Sequence, residues 1–315
     1  MTTTLVTGAA GFAGSHLLDL LVSASAGDAD RIVAWHRPRA TNPPLRHRDA
    51  VEWQAIDVLD REAVRAALAR VRPAIVYHCA GAAHVGRAWD HIESTFATNV
   101  RGTHHVLDGL SRAGGEARVL IPSSALVYAS ADRPLTEDDP LVPSSPYGVS
   151  KLAQELLAVQ TDRGLTVTVA RAFNHLGPRQ DPHFAAADFA RRIADIERGR
   201  WQPEITVGNL DAKRDLTDVR DTVRAYRSIV AHGRAGEAFN VCSGVAIAIR
   251  DLLERLIARA HVPVRIRVDR ARYRPNDTPL LVGDRTRAEQ RLNWTPQIPL
   301  DRALDDLLEY WRTHD

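Results

Sequence analysis

This sequence predicts an α/β fold, a doubly wound parallel sheet joined to a smaller, discontinuous α/β unit. Three observations lead there. Short β-branched runs alternate with helical patterns up to Arg171, which is the rhythm of strands buried on both faces by crossover helices. The first of these runs leads through three glycines into an apolar-periodic helix. After Arg171 the regularity breaks, and the chain becomes rich in Pro, Arg and aromatic residues.

The strands are expected in order at Thr4 to Thr7, Arg31 to Trp35, Val51 to Ala55, Ala74 to Cys79, Arg118 to Pro122, Thr166 to Arg171 and Ala238 to Val241. Residues 1–172 and about 215–243 are assigned to the larger, dinucleotide-type domain, and about 173–214 and 244–315 to the smaller, substrate domain. A length of 315 residues agrees with two domains of about 150 residues each. The hydrophobic content of 44% supports a full core, and 25% charged residues is ordinary for a soluble enzyme.

The net charge of +2 comes from 41 basic residues against 39 acidic ones. No basic run stands out, so neither nucleic acid nor a membrane surface is an expected partner. Only Lys151 and Lys213 are lysines, all other basic charges being arginine, so a single Arg says little about an anion site. No apolar run reaches the ~18 residues of a membrane span, and a cytoplasmic location is expected. Cys79 and Cys242 sit in apolar, strand-like segments, where free thiols are commoner than disulfides or metal ligands. No metal is expected.

In sheets of this kind ligands bind beyond the carboxyl ends of the strands, and several polar clusters fall there. The turn Gly8-Ala-Ala-Gly11-Phe12-Ala13-Gly14 lets the backbone approach a pyrophosphate, which the amides and dipole of the following helix can hold. Trp35-His36-Arg37 ends the second strand where an acidic residue would suit a ribose hydroxyl, so Arg37 points instead to a 2′-phosphate, and to NADP(H) over NAD(H). Asp57 can accept from an adenine amino group or cap a helix. Ala80-Gly81-Ala82 allows close backbone approach after the fourth strand. Asn99, in mid-helix, either bonds neighbouring backbone or is exposed. Ser123-Ser124 ends the fifth strand. Tyr147 and Lys151 stand one turn apart on a helix, where an ammonium can approach a phenol and draw its pKa of about 10 toward neutrality.

Together the glycine turn, Ser124 and Tyr147-Gly-Val-Ser-Lys151 resemble the extended short-chain dehydrogenase/reductase family, over essentially the whole chain. The resemblance implies a Rossmann fold with Ser124, Tyr147, Lys151 and Asn99 as catalytic residues, Asn99 anchoring a water relay. It implies a cofactor held by Gly8, Gly11, Phe12, Ala13, Gly14, Arg37, Asp57, Val58, Ala80, Gly81, Ala82, Tyr147 and Lys151.

Later segments are more specific. Val207-Gly-Asn209-Leu-Asp-Ala-Lys-Arg214, Arg274-Pro-Asn-Asp277 and Phe173-Asn174-His175-Leu-Gly-Pro-Arg179 resemble the parts by which GDP-mannose 4,6-dehydratases and GDP-4-keto-6-deoxymannose reductases hold GDP-sugars. Substrate contacts are accordingly expected from His84, Asn174, Arg179, Val207, Asn209, Arg214, Arg274 and Asp277. Dehydration needs a general acid and base beside the serine, whereas this chain carries Ala125 and Leu126 there. A reductase of a 4-keto GDP-sugar, acting as a homodimer and yielding GDP-D-rhamnose, is therefore expected. A nucleotide-sugar 4-epimerase and a catalytically silent nucleotide-binding protein on the same fold are the alternatives. His78 and Arg87 have no counterpart in the resemblance.

Overall fold

The computed structural model describes residues 2–24, 31–38, 46–161, 164–273 and 278–314. All seven expected strands form, and they make one sheet. The strands are β1 (Thr3–Thr7), β2 (Arg31–His36), β3 (Val51–Ala55), β4 (Ile75–His78), β5 (Ala117–Ser124), β6 (Leu165–Ala172) and, later in the chain, Ala238–Val241. Between these last two lie β7 (Asn174–Leu176), β8 (Glu204–Val207) and β9 (Lys213–Asp218), which makes Ala238–Val241 β10. The large sheet runs β10-β6-β5-β4-β1-β2-β3, and every neighbouring pair is parallel. The strand order reverses between β1 and β4, the switch point at which such sheets open a crevice.

Helices α1 (Phe12–Ala24), α2 (Arg61–Val71), α3 (Arg87–Asp90), α4 (Ile92–Phe96), α5 (Gly102–Ala113) and α6 (Pro146–Val159) interleave with the first strands. They are followed by α7 (Ala185–Glu197), α8 (Val219–His232), α9 (Ile249–Ile257), α10 (Thr286–Leu292) and α11 (Leu300–Thr313). One face of the sheet packs Leu17 and Leu18 of α1 with Val223, Tyr226 and Ile229 of α8. The other buries Val64 and Leu68 of α2 against Val106 and Leu110 of α5. Apolar runs such as Val119-Leu-Ile121 follow from this two-sided cover. Local signals set several ends. Asp60, rather than Asp57, caps α2 by accepting from Ala63 N at 3.0 Å, and Ser145 caps α6 ahead of Pro146.

A separate apolar cluster gathers Phe189 and Ile193 of α7, Leu252 and Leu256 of α9, and Leu304, Leu307 and Trp311 of α11. Beside it lie β11 (Ala246–Ala248), β12 (Arg265–Val268) and β13 (Leu280–Leu281). There β9 pairs with β7, β11 and β13, while β8 pairs with β12.

At the seam with the large sheet, Arg171 of β6 is buried against Glu155 of α6. The guanidinium also donates to Tyr128 Oη at 3.0 Å and to the Glu137 carbonyl at 2.9 Å, and Ser123 Oγ donates to Glu155 at 2.9 Å. Removing one partner of a buried pair strands the other charge. Glu155→Ala should therefore lower the unfolding free energy in urea by about 3–5 kcal/mol. A loss below about 1 kcal/mol would mean that the pair behaves like a solvated one.

Candidate active site

The ends of β1, β4 and β5 open into a cavity of about 960 Å³ that continues to the smaller sheet. At its floor Gly8 leaves β1 with φ of +63°, and a Cβ there would stand 2.6 Å from the Ala80 amide. Only glycine permits this approach. Ala9 N donates to the Trp35 carbonyl at 3.0 Å, which sets the turn beside the end of β2, where Arg37 is exposed. Gly8, Gly11, Phe12, Ala13 and Gly14 all line the cavity. The bare backbone there and the start of α1 fit a dinucleotide pyrophosphate.

Past β4, Ala80, Gly81 and Ala82 line the opposite wall. Asn99 holds them. It stands on a π-helical turn, Ala97–Arg101, fully buried, not exposed. Its side chain accepts from Ala82 N at 2.8 Å and donates to the Ala82 carbonyl at 3.2 Å and to Ser150 Oγ at 2.9 Å. The wider turn frees backbone that a regular helix would keep paired, a device common at functional sites.

Ser124 and Tyr147 face each other. Ser124 Oγ accepts from Leu126 N at 3.2 Å and stands near enough to the Tyr147 phenol to favour its ionised form. Gly148 makes the meeting possible, since a Cβ on it would lie 2.4 Å from the Leu126 carbonyl. The structure corrects the expected electrostatics. Burial pushes the Tyr147 phenol up to about 12, with the Ser124 hydroxyl drawing it back only in part. Lys151 does not touch the phenol. Its Nζ donates to the Pro122 carbonyl and to Gln154 Oε1, each at 2.5 Å, and burial draws the ammonium down to about 8. Near neutrality the phenol is thus a proton donor beside a charged lysine.

His84, Asn174 and Arg214 line the outer cavity. His84 stacks on Phe184, with ring centroids 5.1 Å apart, and lies 3.7 Å from Asp181. Arg214 donates to the Lys213 and Thr278 carbonyls at 2.8 and 2.7 Å. Arg274 and Asp277 fall outside the described residues.

Other expected contacts do not gather here. Arg179, with φ of +73°, pairs with Asp19 of α1 at 2.7 Å, so its charge braces α1 instead of lining the cavity. Val207 is buried in the apolar cluster of the smaller unit, and Val58 in that of the large sheet. Asn209 Oδ1 accepts from Asp211 N at 3.0 Å. Asp57 closes a local turn by accepting from Leu59 N at 2.9 Å. Arg87 donates to His183 at 2.6 Å.

Sequence reasoning missed Gln154, Thr103 and the part played by His78. Gln154 stands three positions after Lys151, on the same helix face, which was the available signal.

The GDP-mannose 4,6 dehydratase family model matches residues 5–307. The chain is 35% identical to the GDP-6-deoxy-D-mannose reductase of Pseudomonas aeruginosa over 313 residues, covering 98% of this chain and 96% of that protein. It is 30% identical to the UDP-glucose 4-epimerase of Mycolicibacterium smegmatis, with 98% of each covered. The solved structure of RMD from Pseudomonas aeruginosa complexed with NADPH aligns with a TM-score of 0.86 and 31% identity over 100% of both chains.

Two histidines of the site region make stability depend on pH. Burial holds His78 down to about 3 and His16 to about 4, against 6.5 for a free side chain. Both stay neutral in the folded chain and titrate normally when unfolded. Their contribution is therefore complete above about pH 6.5 and is lost as the pH falls toward about 4 for His16 and about 3 for His78. Unfolding at about pH 5 should take up about two protons on their account. Denaturation from about pH 7 to 5 measures this, and His78→Asn should remove about one of those protons. That difference separates the histidine from Asp215 and Glu137, whose raised values act in the opposite sense. An identical profile in the variant would exclude His78 as a source.

Proposed function

The chain belongs to the GDP-mannose 4,6 dehydratase family, and we propose that it reduces the 4-keto group of GDP-4-keto-6-deoxy-D-mannose with NADPH, giving GDP-D-rhamnose. The observation that carries this reading is the wall beside Ser124. Ala125 is buried and Leu126 lines the cavity, so the position where dehydration needs proton-moving side chains is apolar. A phenol kept protonated is what a ketone reduction needs. The name of the Pseudomonas aeruginosa relative, GDP-6-deoxy-D-mannose reductase, supports the same reading.

When bound, the dihydronicotinamide supplies the hydride to C4. Tyr147 gives its phenolic proton to the sugar oxygen as negative charge develops there, and Ser124 donates a second hydrogen bond to the same oxygen. Lys151 holds the nicotinamide ribose and contributes positive charge beneath the phenol. The Gly8 to Gly14 turn holds the pyrophosphate, and Arg37 meets the 2′-phosphate that distinguishes NADPH from NADH. Asn99 fixes the 80–82 turn and anchors the relay that returns a proton to Tyr147. Arg214, with Arg274 and Asp277, holds the GDP moiety; His84 and Asn174 contact the hexose. A homodimer in the cytoplasm, where NADPH is supplied, completes the proposal. The exposed Val149 and Leu156, two turns apart on α6, support such a contact between copies.

The epimerase of Mycolicibacterium smegmatis, at 30% identity, motivates a second reading on the same residues. Purified protein given the keto sugar and NADPH should consume the cofactor and form one 6-deoxyhexose, identified by NMR. Tyr147→Phe should slow this by about 10²- to 10⁴-fold with cofactor binding near normal, and a rate within about threefold would remove Tyr147 from the mechanism. Tightly retained NAD with sugar interconversion and no net NADPH oxidation would select the epimerase.

The nucleotide is tested separately. GDP should raise the melting temperature more than UDP or dTDP at equal concentration, since stabilisation follows RT ln(1 + [L]/Kd). Arg274→Ala should erase most of that rise and leave NADPH affinity unchanged. Equal protection by all three diphosphates would overturn the GDP assignment.

A further inference from the structure

The stem of Lys151 is long enough to swing, yet its ammonium is fixed by the Pro122 carbonyl and Gln154 Oε1. Gln154 is itself fully buried. Its amide nitrogen donates to Thr103 Oγ1 at 2.7 Å. The Thr103 hydroxyl places its own proton on the Asn99 carbonyl at 2.6 Å, so toward its other neighbours it can only accept. One of these is His78 Nε2 at 3.0 Å, which must therefore carry the imidazole proton. His78 Nδ1 is then the acceptor, 2.9 Å from the hydroxyl of Thr7, which in turn accepts from the Ala80 amide at 3.1 Å.

Donors and acceptors match along the whole chain from the 80–82 turn to Lys151. Reversing the Gln154 amide would set its NH₂ against the ammonium and its oxygen against a hydroxyl with no proton left to give. Only one orientation is therefore satisfied.

We propose that Gln154 is a positioning residue for Lys151, its amide oxygen locked by Thr103, His78 and Thr7 so that the ammonium stays charged and aimed beneath Tyr147. The geometry stands by itself; only the kinetic arm of the test rests on the proposed reductase activity. The other ionisable groups facing Lys151 are Glu155 on α6, and His78 and Cys79 at the end of β4, with Tyr226 of α8 near both Cys79 and Tyr147. Glu155 is engaged by Arg171. Burial holds the Cys79 thiol up at about 12 and His78 down at about 3, so both are neutral at working pH. The uncharged oxygens of Gln154 and Pro122 are left as the ammonium's direct acceptors.

The composition makes a direct test possible. With Lys151 and Lys213 the only lysines, lysine-selective ¹⁵N labelling gives two side-chain NMR signals, and the exposed Lys213 serves as internal reference. In the wild-type protein Lys151 should titrate near 8. Gln154→Leu should move the Lys151 midpoint down by about one pH unit or more, and Gln154→Glu should move it up by a comparable amount. The alkaline limb of kcat should move with the midpoint in each variant, and Gln154→Glu should retain more turnover than Gln154→Leu. Should Gln154→Leu not fold, the wild-type midpoint and the Glu variant still decide. A wild-type Lys151 that titrates at the value of about 10.4 of a free lysine, or midpoints unmoved in folded variants, would overturn the proposal. Midpoints that move in a protein inactive on the keto sugar would sink the reductase reading and leave the role of Gln154 standing.

Discussion

The contact between the glycine turn after β1 and the backbone after β4 is the constraint on which the site depends. Two main chains meet at Gly8 and Ala80 closer than any Cβ allows, at the point where the strand order reverses. Because β1 and β4 are central strands, their ends are held by neighbours on both sides, and the turn inherits that rigidity. Thr7, the last residue of β1, accepts from the Ala80 amide and bonds His78. The backbone contact that shapes the cavity floor thus begins the polar chain that ends at Lys151.

Burial then sets the chemistry. In water a phenol and an ammonium have nearly the same pKa, about 10, but here desolvation moves them apart. Each neutral form is favoured, so the phenol goes up to about 12 and the ammonium down to about 8. The sequence pattern suggested the reverse for the tyrosine, with lysine pulling it toward neutrality. That expectation treated the pair as an isolated helix surface. In the fold, Lys151 has nearer acceptors in Pro122 and Gln154, and the phenol meets Ser124. The resulting donor suits reduction of a carbonyl, which must gain a proton, and leaves the lysine's charge sensitive to its two neutral acceptors.

Within such a framework the choice of reaction falls to few side chains. Ser124, Tyr147 and Lys151 line the cavity beside Ala125 and Leu126, which can transfer nothing. The opposite end of the cavity belongs to the smaller unit, where Arg214 donates to the carbonyls of Lys213 in β9 and of Thr278 just before β13. A single cavity spans both ends, which suits a ligand with a reactive sugar at one end and a diphosphate at the other.

The sequence by itself determined the large sheet and the framework of the cavity. Two-sided burial enriches the strands in β-branched and apolar residues, so all seven strands were legible and their ends fell within a few residues of the structure. The glycine turn, Ser124, Tyr147 and Lys151 were legible too, because their spacing is local and each requires its residue type. What only the tertiary structure decided was the partner of each polar group. Nothing local distinguishes Arg179, which braces Asp19, from Arg214, which faces the cavity. Nor does it link Thr7, His78, Thr103 and Gln154, whose successive hydrogen bonds join residues up to 71 positions apart. Hydrogen-bond satisfaction in a buried, low-dielectric interior is a property of the assembled neighbourhood, and that neighbourhood exists only once the strands have paired.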